Sequence, residues 1–446
     1  MEEQSNKKNS LQQVFIGLLK RFAVFVSLFF LVNWVYEQTL YPKERFQFSR
    51  VAGKLDSALK QSDIVYLGES SNTSFNPWTD TLGYSVSQWL QYYFDSSVQV
   101  TGVSHDGYHV GMFRKMLGLL PERGKNGKMP TLIVTVNMRS FGPAATFNPN
   151  EASNQQEAVF YSHRLPLLNR VYVSLHHYDN RNSLEMEREK FRWWRTHNLN
   201  KAQDKLSGES LIRSFENSYT TTKQWFGALS EQNYELPQEI RNMADAYVKE
   251  FAWVMNDDNP RLKDLKAMVE YCSDKNVNLV LLLLIPNRAH ADSLFGQQLT
   301  QYIDFNLAFL RDRIAGWQQE IEKRNGDCAT GVGGLTLVDI PKLYIENYGS
   351  FPSSSHYTDQ FFPTEHVDAH IRGFISAQLA ASLGDIYKKR IPREGELPWE
   401  MTWVGGEMGK KRTKIPFYKP VKNNWLNEAL TMPTSDSMMG LWRKKF

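Results

Sequence analysis

The chain has 446 residues, enough to bury a sizeable core as one large domain with insertions or as two smaller ones. Its 52 Lys plus Arg against 48 Asp plus Glu leave a formal charge of +4, with only short basic clusters such as Lys410-Lys411-Arg412 and Arg443-Lys444-Lys445, so there is no nucleic-acid footprint. Two cysteines, Cys272 and Cys328, are too few for a disulfide framework and too far apart for a short-spaced metal pair, although one bridge between them stays open.

Residues 1–40 read as a cytoplasmic tip and a membrane anchor. Phe22 to Tyr36 is uncharged, and the apolar character extends back through Val14 across Lys20 and Arg21. Fifteen uninterrupted residues fall short of the roughly 20 that a bilayer core needs. Lys20 and Arg21 can snorkel to the inner face, however, while Trp34 and Tyr36 sit at the outer one. Lys7, Lys8, Lys20 and Arg21 precede the span, which predicts the N-terminus inside and the rest of the chain periplasmic or extracellular. No small-x-small site follows the apolar run, so an uncleaved anchor is expected in place of a cleaved signal peptide.

Residues 41–387 alternate short apolar runs with amphipathic stretches, the pattern of an α/β fold with a mainly parallel sheet. The expected strands are Ile64–Leu67, Val98–Val103, Thr131–Val136, Asn278–Ile285 and Leu335–Ile340. The expected helices are Leu82–Phe94, Val110–Leu120, Leu262–Ser273, Leu299–Lys323 and Val367–Leu383. The alternation breaks between about 143 and 257, which predicts a helical insertion forming a cap or side subdomain. Its Trp193-Trp194 pair suits packing of a cap helix better than stacking on a glycan ring. Residues 388–446 carry five prolines, Pro392, Pro398, Pro416, Pro420 and Pro433, without sustained periodicity, and read as an extended segment wrapping the domain.

Polar residues collect where successive strands end. The first strand runs into Gly68-Glu69-Ser70, the second into Ser104-His105-Asp106-Gly107 and the third into Asn137-Met138-Arg139. Open α/β sheets bind ligands at such carboxyl ends. Near the C-terminal helix, Pro363-Thr364-Glu365-His366-Val367-Asp368 supplies a histidine, with Asp368 placed as an N-cap. His356 and His370 compete with His366, but one lies farther upstream and the other falls inside the helix.

Taken together and in this order, the blocks resemble those of the SGNH (GDSL-type) hydrolase superfamily across roughly 300 residues. Two positions depart from its pattern: His105 replaces the second-block glycine, and Pro363 occupies the place of the aspartate three residues before the histidine. The resemblance implies a three-layer α/β/α, flavodoxin-like domain with Ser70 as nucleophile and His366 as base. It also implies oxyanion donors from the Ser70 amide, the amide at His105 or Gly107, and the Asn137 side chain. Asp359, just upstream in the same loop, is the candidate acid. At the rim, Arg139, Asn287 and Arg288 are candidate substrate contacts, with a structural ion pair the commoner use of such an arginine. His105, Asp106 and His109 are read as hydrogen-bonding groups, and no metal or cofactor is expected.

The function so implied is a membrane-anchored extracytoplasmic serine esterase removing acyl, most simply acetyl, groups from an envelope or extracellular glycan. Two alternatives stay open. One is a polysaccharide O-acetyltransferase fed by a membrane acyl-donor partner, since both reactions pass through an acyl-serine. The other is a noncatalytic glycan-binding or assembly protein that keeps the fold.

Overall fold

Runs rich in Val, Ile and Leu pair into a five-stranded sheet: β1 (Ile64–Gly68), β2 (Val100–Ser104), β3 (Thr131–Val136), β4 (Leu279–Leu283) and β5 (Leu335–Asp339). All neighbours are parallel, in the order β2-β1-β3-β4-β5, with Leu67 opposite both Val103 and Val134, and Leu281 opposite both Val134 and Leu337. Every residue of β1, β3 and β4 is buried, as expected of central strands covered on both faces. The computed structural model describes residues 2–49, 51–74, 83–94, 98–146, 157–176, 184–185, 188, 246–247, 250–295, 297–325, 333–358, 364–387, 400–404 and 407–413.

The two-residue period of the strands sorts their side chains between two cores. Val65, Leu67, Leu132, Val134, Leu279 and Leu281 pack with helices Ala52–Gln61, Val110–Met116, Pro260–Asp274 and Gln297–Asn325. Ile64, Tyr66, Ile133, Val280 and Leu282 pack with helices Val86–Tyr93, Ile340–Tyr348 and Ala369–Tyr387. The five expected strands are therefore present, with shifted ends. β5 stops at Asp339 because the Asp339 carboxylate accepts the Lys342 N–H and opens a helix at Ile340.

The N-terminal helix spans Glu2–Thr39, and its Val14–Thr39 portion is long and apolar enough to cross a membrane. Helices Tyr41–Phe48 and Ala52–Gln61 follow it, neither of them expected. Within the expected insertion, the described pieces include helices Pro143–Thr146 and Pro166–His176; Trp193 and Trp194 lie outside the described residues. In the C-terminal segment, β6 (Glu400–Val404) and β7 (Glu407–Thr413) form an antiparallel pair rather than a purely extended run. Cys272 is a buried free thiol that burial pushes up to about 12, and Cys328 lies outside the described residues.

Candidate active site

Gly68 ends β1 at a place with no room for a side chain: a Cβ there would meet Tyr66 Cε1 at 2.6 Å and Ser104 Oγ at 2.8 Å. Glu69 follows in extended conformation, and Ser70 then opens the single-turn helix Ser70–Thr73. That turn is fastened from below by buried Asn72. Its Nδ2 donates to Ser104 Oγ (2.8 Å) and Ser87 Oγ (3.3 Å), and its Oδ1 accepts the Ser87 N–H (3.0 Å). Ser70 is thereby tied to the end of β2 and to the Val86–Tyr93 helix.

The histidine arrives on a separately braced loop. The Asn287 N–H donates to Thr364 O (2.9 Å), the Thr358 N–H donates to His366 O (2.8 Å), and Val367 forms a bridge with Tyr357. Arg372, from the Ala369–Tyr387 helix, joins the two halves. Its Nη1 donates to Val367 O (2.7 Å) and Ser74 O (2.9 Å), and its Nε donates to Tyr84 O (2.9 Å). The outcome is a Ser70 Oγ to His366 Nε2 distance of 2.8 Å between partly exposed side chains.

Behind this pair lies a polar cluster built from the residues next to the serine and the histidine. Glu69 and Glu365 are each only 4% exposed, and Asn137, at the end of β3, is 6% exposed. Asn137 Nδ2 donates to Glu69 Oε1 at 2.5 Å and also to Glu365 Oε2. Arg139 Nη2 lies 2.7 Å from Glu365 Oε1, and Arg139 Nε lies 3.6 Å from Glu250 Oε2. Burial pushes the Glu69 carboxyl up to about 8, reinforced by the neighbouring Glu365 charge and opposed by Arg139, the Asn137 hydrogen bond and His366. Glu69 thus holds a proton at neutral pH, while Glu365 pairs with Arg139 and sits 3.7 Å from His366 Nε2.

No protein-family model matches the chain, and no curated protein matches it. Solved structures are similar to the chain. One of them is a "putative platelet activating factor" from Streptococcus pneumoniae, with 11% identity, a TM-score of 0.30, and coverage of 81% of this chain and 98% of the other.

Several expected site residues sit elsewhere or are already engaged. Asn137 gives its side-chain N–H groups to two carboxylates, where an oxyanion role would need one of them open. The His105 N–H donates to Gly68 O at 3.4 Å, continuing the ladder between β1 and β2. Gly107 adopts φ +76° in the exposed turn that follows. Asn287 is fully buried, where its Oδ1 accepts the His290 N–H, so it is a helix cap and a brace for the histidine loop and not a rim contact. Arg288 makes a two-pronged pair with Asp304, both contacts 2.9 Å. Arg139 serves the ion pair, and Asp359 lies outside the described residues.

The competing histidines, His356 and His370, are held as well, their rings stacked with centroids 5.4 Å apart. His356 Nδ1 lies 2.8 Å from Asp368 Oδ2, while Asp368 Oδ1 caps the last helix through the Ile371 N–H. His109 Nδ1 accepts the Gly111 N–H and caps the Val110–Met116 helix. Among the described residues no group of three His, Cys, Asp or Glu is arranged to hold a metal ion. The Glu69–Glu365 pair is the feature the sequence reading passed over. Its signal in the sequence is that each carboxylate directly precedes a block residue.

Proposed function

We propose that this chain is a membrane-anchored serine hydrolase of the SGNH type, acting outside the cytoplasm on acyl esters, most simply acetyl groups of an envelope or extracellular glycan. The observation that carries the reading is the 2.8 Å contact between Ser70 Oγ and His366 Nε2, well within reach for proton transfer. The parallel sheet with helices on both faces supports it, because open α/β sheets collect reacting groups at the carboxyl ends of their strands.

In the proposed cycle, His366 Nε2 takes the proton of Ser70 as Oγ bonds to the ester carbonyl carbon. The same proton then passes to the departing alcohol as the ester C–O bond breaks. Water adds to the acyl-serine by the reverse sequence, leaving the carboxylic acid and free Ser70. With the His105 amide and the Asn137 side chain engaged and Gly107 in an exposed turn, the Ser70 amide is the oxyanion donor that remains from the expected set, a donor worth about 10²- to 10³-fold in rate. Glu365, close to His366 and itself buried, favours the imidazolium that forms when Ser70 gives up its proton.

A fluorophosphonate probe applied to the full-length protein in detergent tests this reading. Labelling is expected on the peptide containing Ser70, absent in Ser70→Ala and slowed by about 10²-fold or more in His366→Gln. Equal labelling of the native protein and Ser70→Ala would refute it. Labelling without hydrolysis of acetylated glycans, restored by a sugar acceptor and an acyl-donor partner, would turn the assignment to transfer.

A further inference from the structure

The Pro166–His176 helix is amphipathic the wrong way round for a helix that faces only protein and water. Its inward face carries Pro166, Asn169 and Val173, all buried, with Asn169 Nδ2 satisfied by Val159 O at 2.6 Å. Its outward face carries Leu168, Val171, Tyr172 and Leu175, exposed by 47%, 53%, 37% and 76%. These four recur at the i, i+3, i+4, i+7 spacing of one helical stripe. An aqueous surface favours polar residues on such a face, and a contiguous apolar stripe marks an interaction site.

What meets the stripe follows from what the helix touches. The Leu167 N–H donates to Asn33 Oδ1 at 3.0 Å, and Arg170 Nε donates to Tyr36 Oη at 2.5 Å, with Arg170 also paired to Glu44. Asn33 and Tyr36 lie on the Val14–Thr39 helix, at the end where Trp34 and Tyr36 mark the outer membrane boundary. Asn33 and Tyr36 are both buried, so the contact sits at the C-terminal end of the apolar helix. Just before Pro166, exposed Arg164 lies over the Tyr172 ring at 4.1 Å and adds a positive charge beside the stripe, suited to lipid phosphates.

We infer that the Pro166–His176 helix lies in the outer face of the bilayer that holds the anchor, with Leu168, Val171, Tyr172 and Leu175 inserted among the lipids. The occupant is the lipid surface itself. The inference rests on the Val14–Thr39 helix crossing the membrane, and does not depend on the chemistry at Ser70. It fixes the catalytic domain against the membrane instead of leaving it on a free tether.

The test places an environment-sensitive fluorophore on single cysteines of the full-length protein in a Cys328→Ser background, where Cys272 is buried. The positions are Val171→Cys and Leu175→Cys on the stripe, Leu28→Cys in the anchor, and Glu346→Cys on an exposed part of the domain. The protein is reconstituted in phosphatidylcholine–phosphatidylglycerol vesicles containing a lipid brominated near the glycerol end of its chains. Labels at 171 and 175 are expected to be blue-shifted and quenched several-fold more than the label at 346. Quenching at 28 but not at 171 or 175 would overturn the inference and leave the anchor standing. Loss of quenching at all three would overturn both. Blue-shifted but unquenched emission at 171 and 175 would mean that protein covers the stripe, and would also overturn it.

Discussion

At the scale of single residues, the unusual feature is a pair of glutamates closed off beneath a serine and a histidine. Two buried carboxylates bridged by Asn137, only one of them paired with Arg139, cannot both ionise cheaply, and Glu69 is the one whose carboxyl is pushed up. The consequence for stability has a definite sign. The folded protein keeps a proton on Glu69 up to about pH 8, whereas the unfolded chain releases it near the ordinary value of 4.5. Between those limits the native state binds more protons, so this group's contribution to stability falls as pH rises, by up to about 1.4 kcal/mol per pH unit. Glu69→Gln keeps the shape and an acceptor for Asn137 but cannot titrate. Thermal unfolding of the solubilised protein from pH 5 to 8 should therefore fall less steeply for Glu69→Gln than for the native chain; parallel curves would mean that Glu69 is ionised in the folded state.

At the scale of elements, the site is a meeting of pieces that are individually simple. Arg372 is 1% exposed and spreads its guanidinium across carbonyls of Ser74, Tyr84 and Val367, coupling the serine turn to the histidine loop. Lysine cannot reproduce that planar fork. Arg372→Lys is expected to slow fluorophosphonate labelling of Ser70 by about 10²-fold, through misplacement of one partner relative to the other. Circular dichroism should remain native-like, and an unchanged labelling rate would remove Arg372 from the positioning role. The five strands were readable because each is a short apolar run closed by polar or glycine residues, a local signal. The Ile340–Tyr348 helix was missed because the apolar run of β5 passes into it without a break, and only the Asp339 cap separates them. Helix Tyr41–Phe48, which buries none of its residues, offers no apolar stripe to read. The bonds of Arg372 to Tyr84 and Ser74, and of Asn137 to Glu365, join positions more than 200 residues apart, which no spacing rule reaches.

At the scale of the molecule, the basic residues before the apolar helix predict a single crossing with the sheet domain outside. Protease added to right-side-out membrane vesicles should digest the domain and spare a fragment of about the first 40 residues, sized by its length in the sequence. Protection of the domain until the vesicles are opened would reverse the orientation. The order of the chain has a consequence in time as well as in space. Ser70 and His366 are 296 positions apart, and at about 5–20 residues per second the serine leaves the ribosome on the order of 15–60 s before its histidine. Throughout that interval the nascent chain carries an ordinary hydroxyl. Under the proposed function, reactivity switches on only once the chain has been made through His366 and the Ala369–Tyr387 helix has docked, so the serine stays silent while the sheet domain is being synthesised.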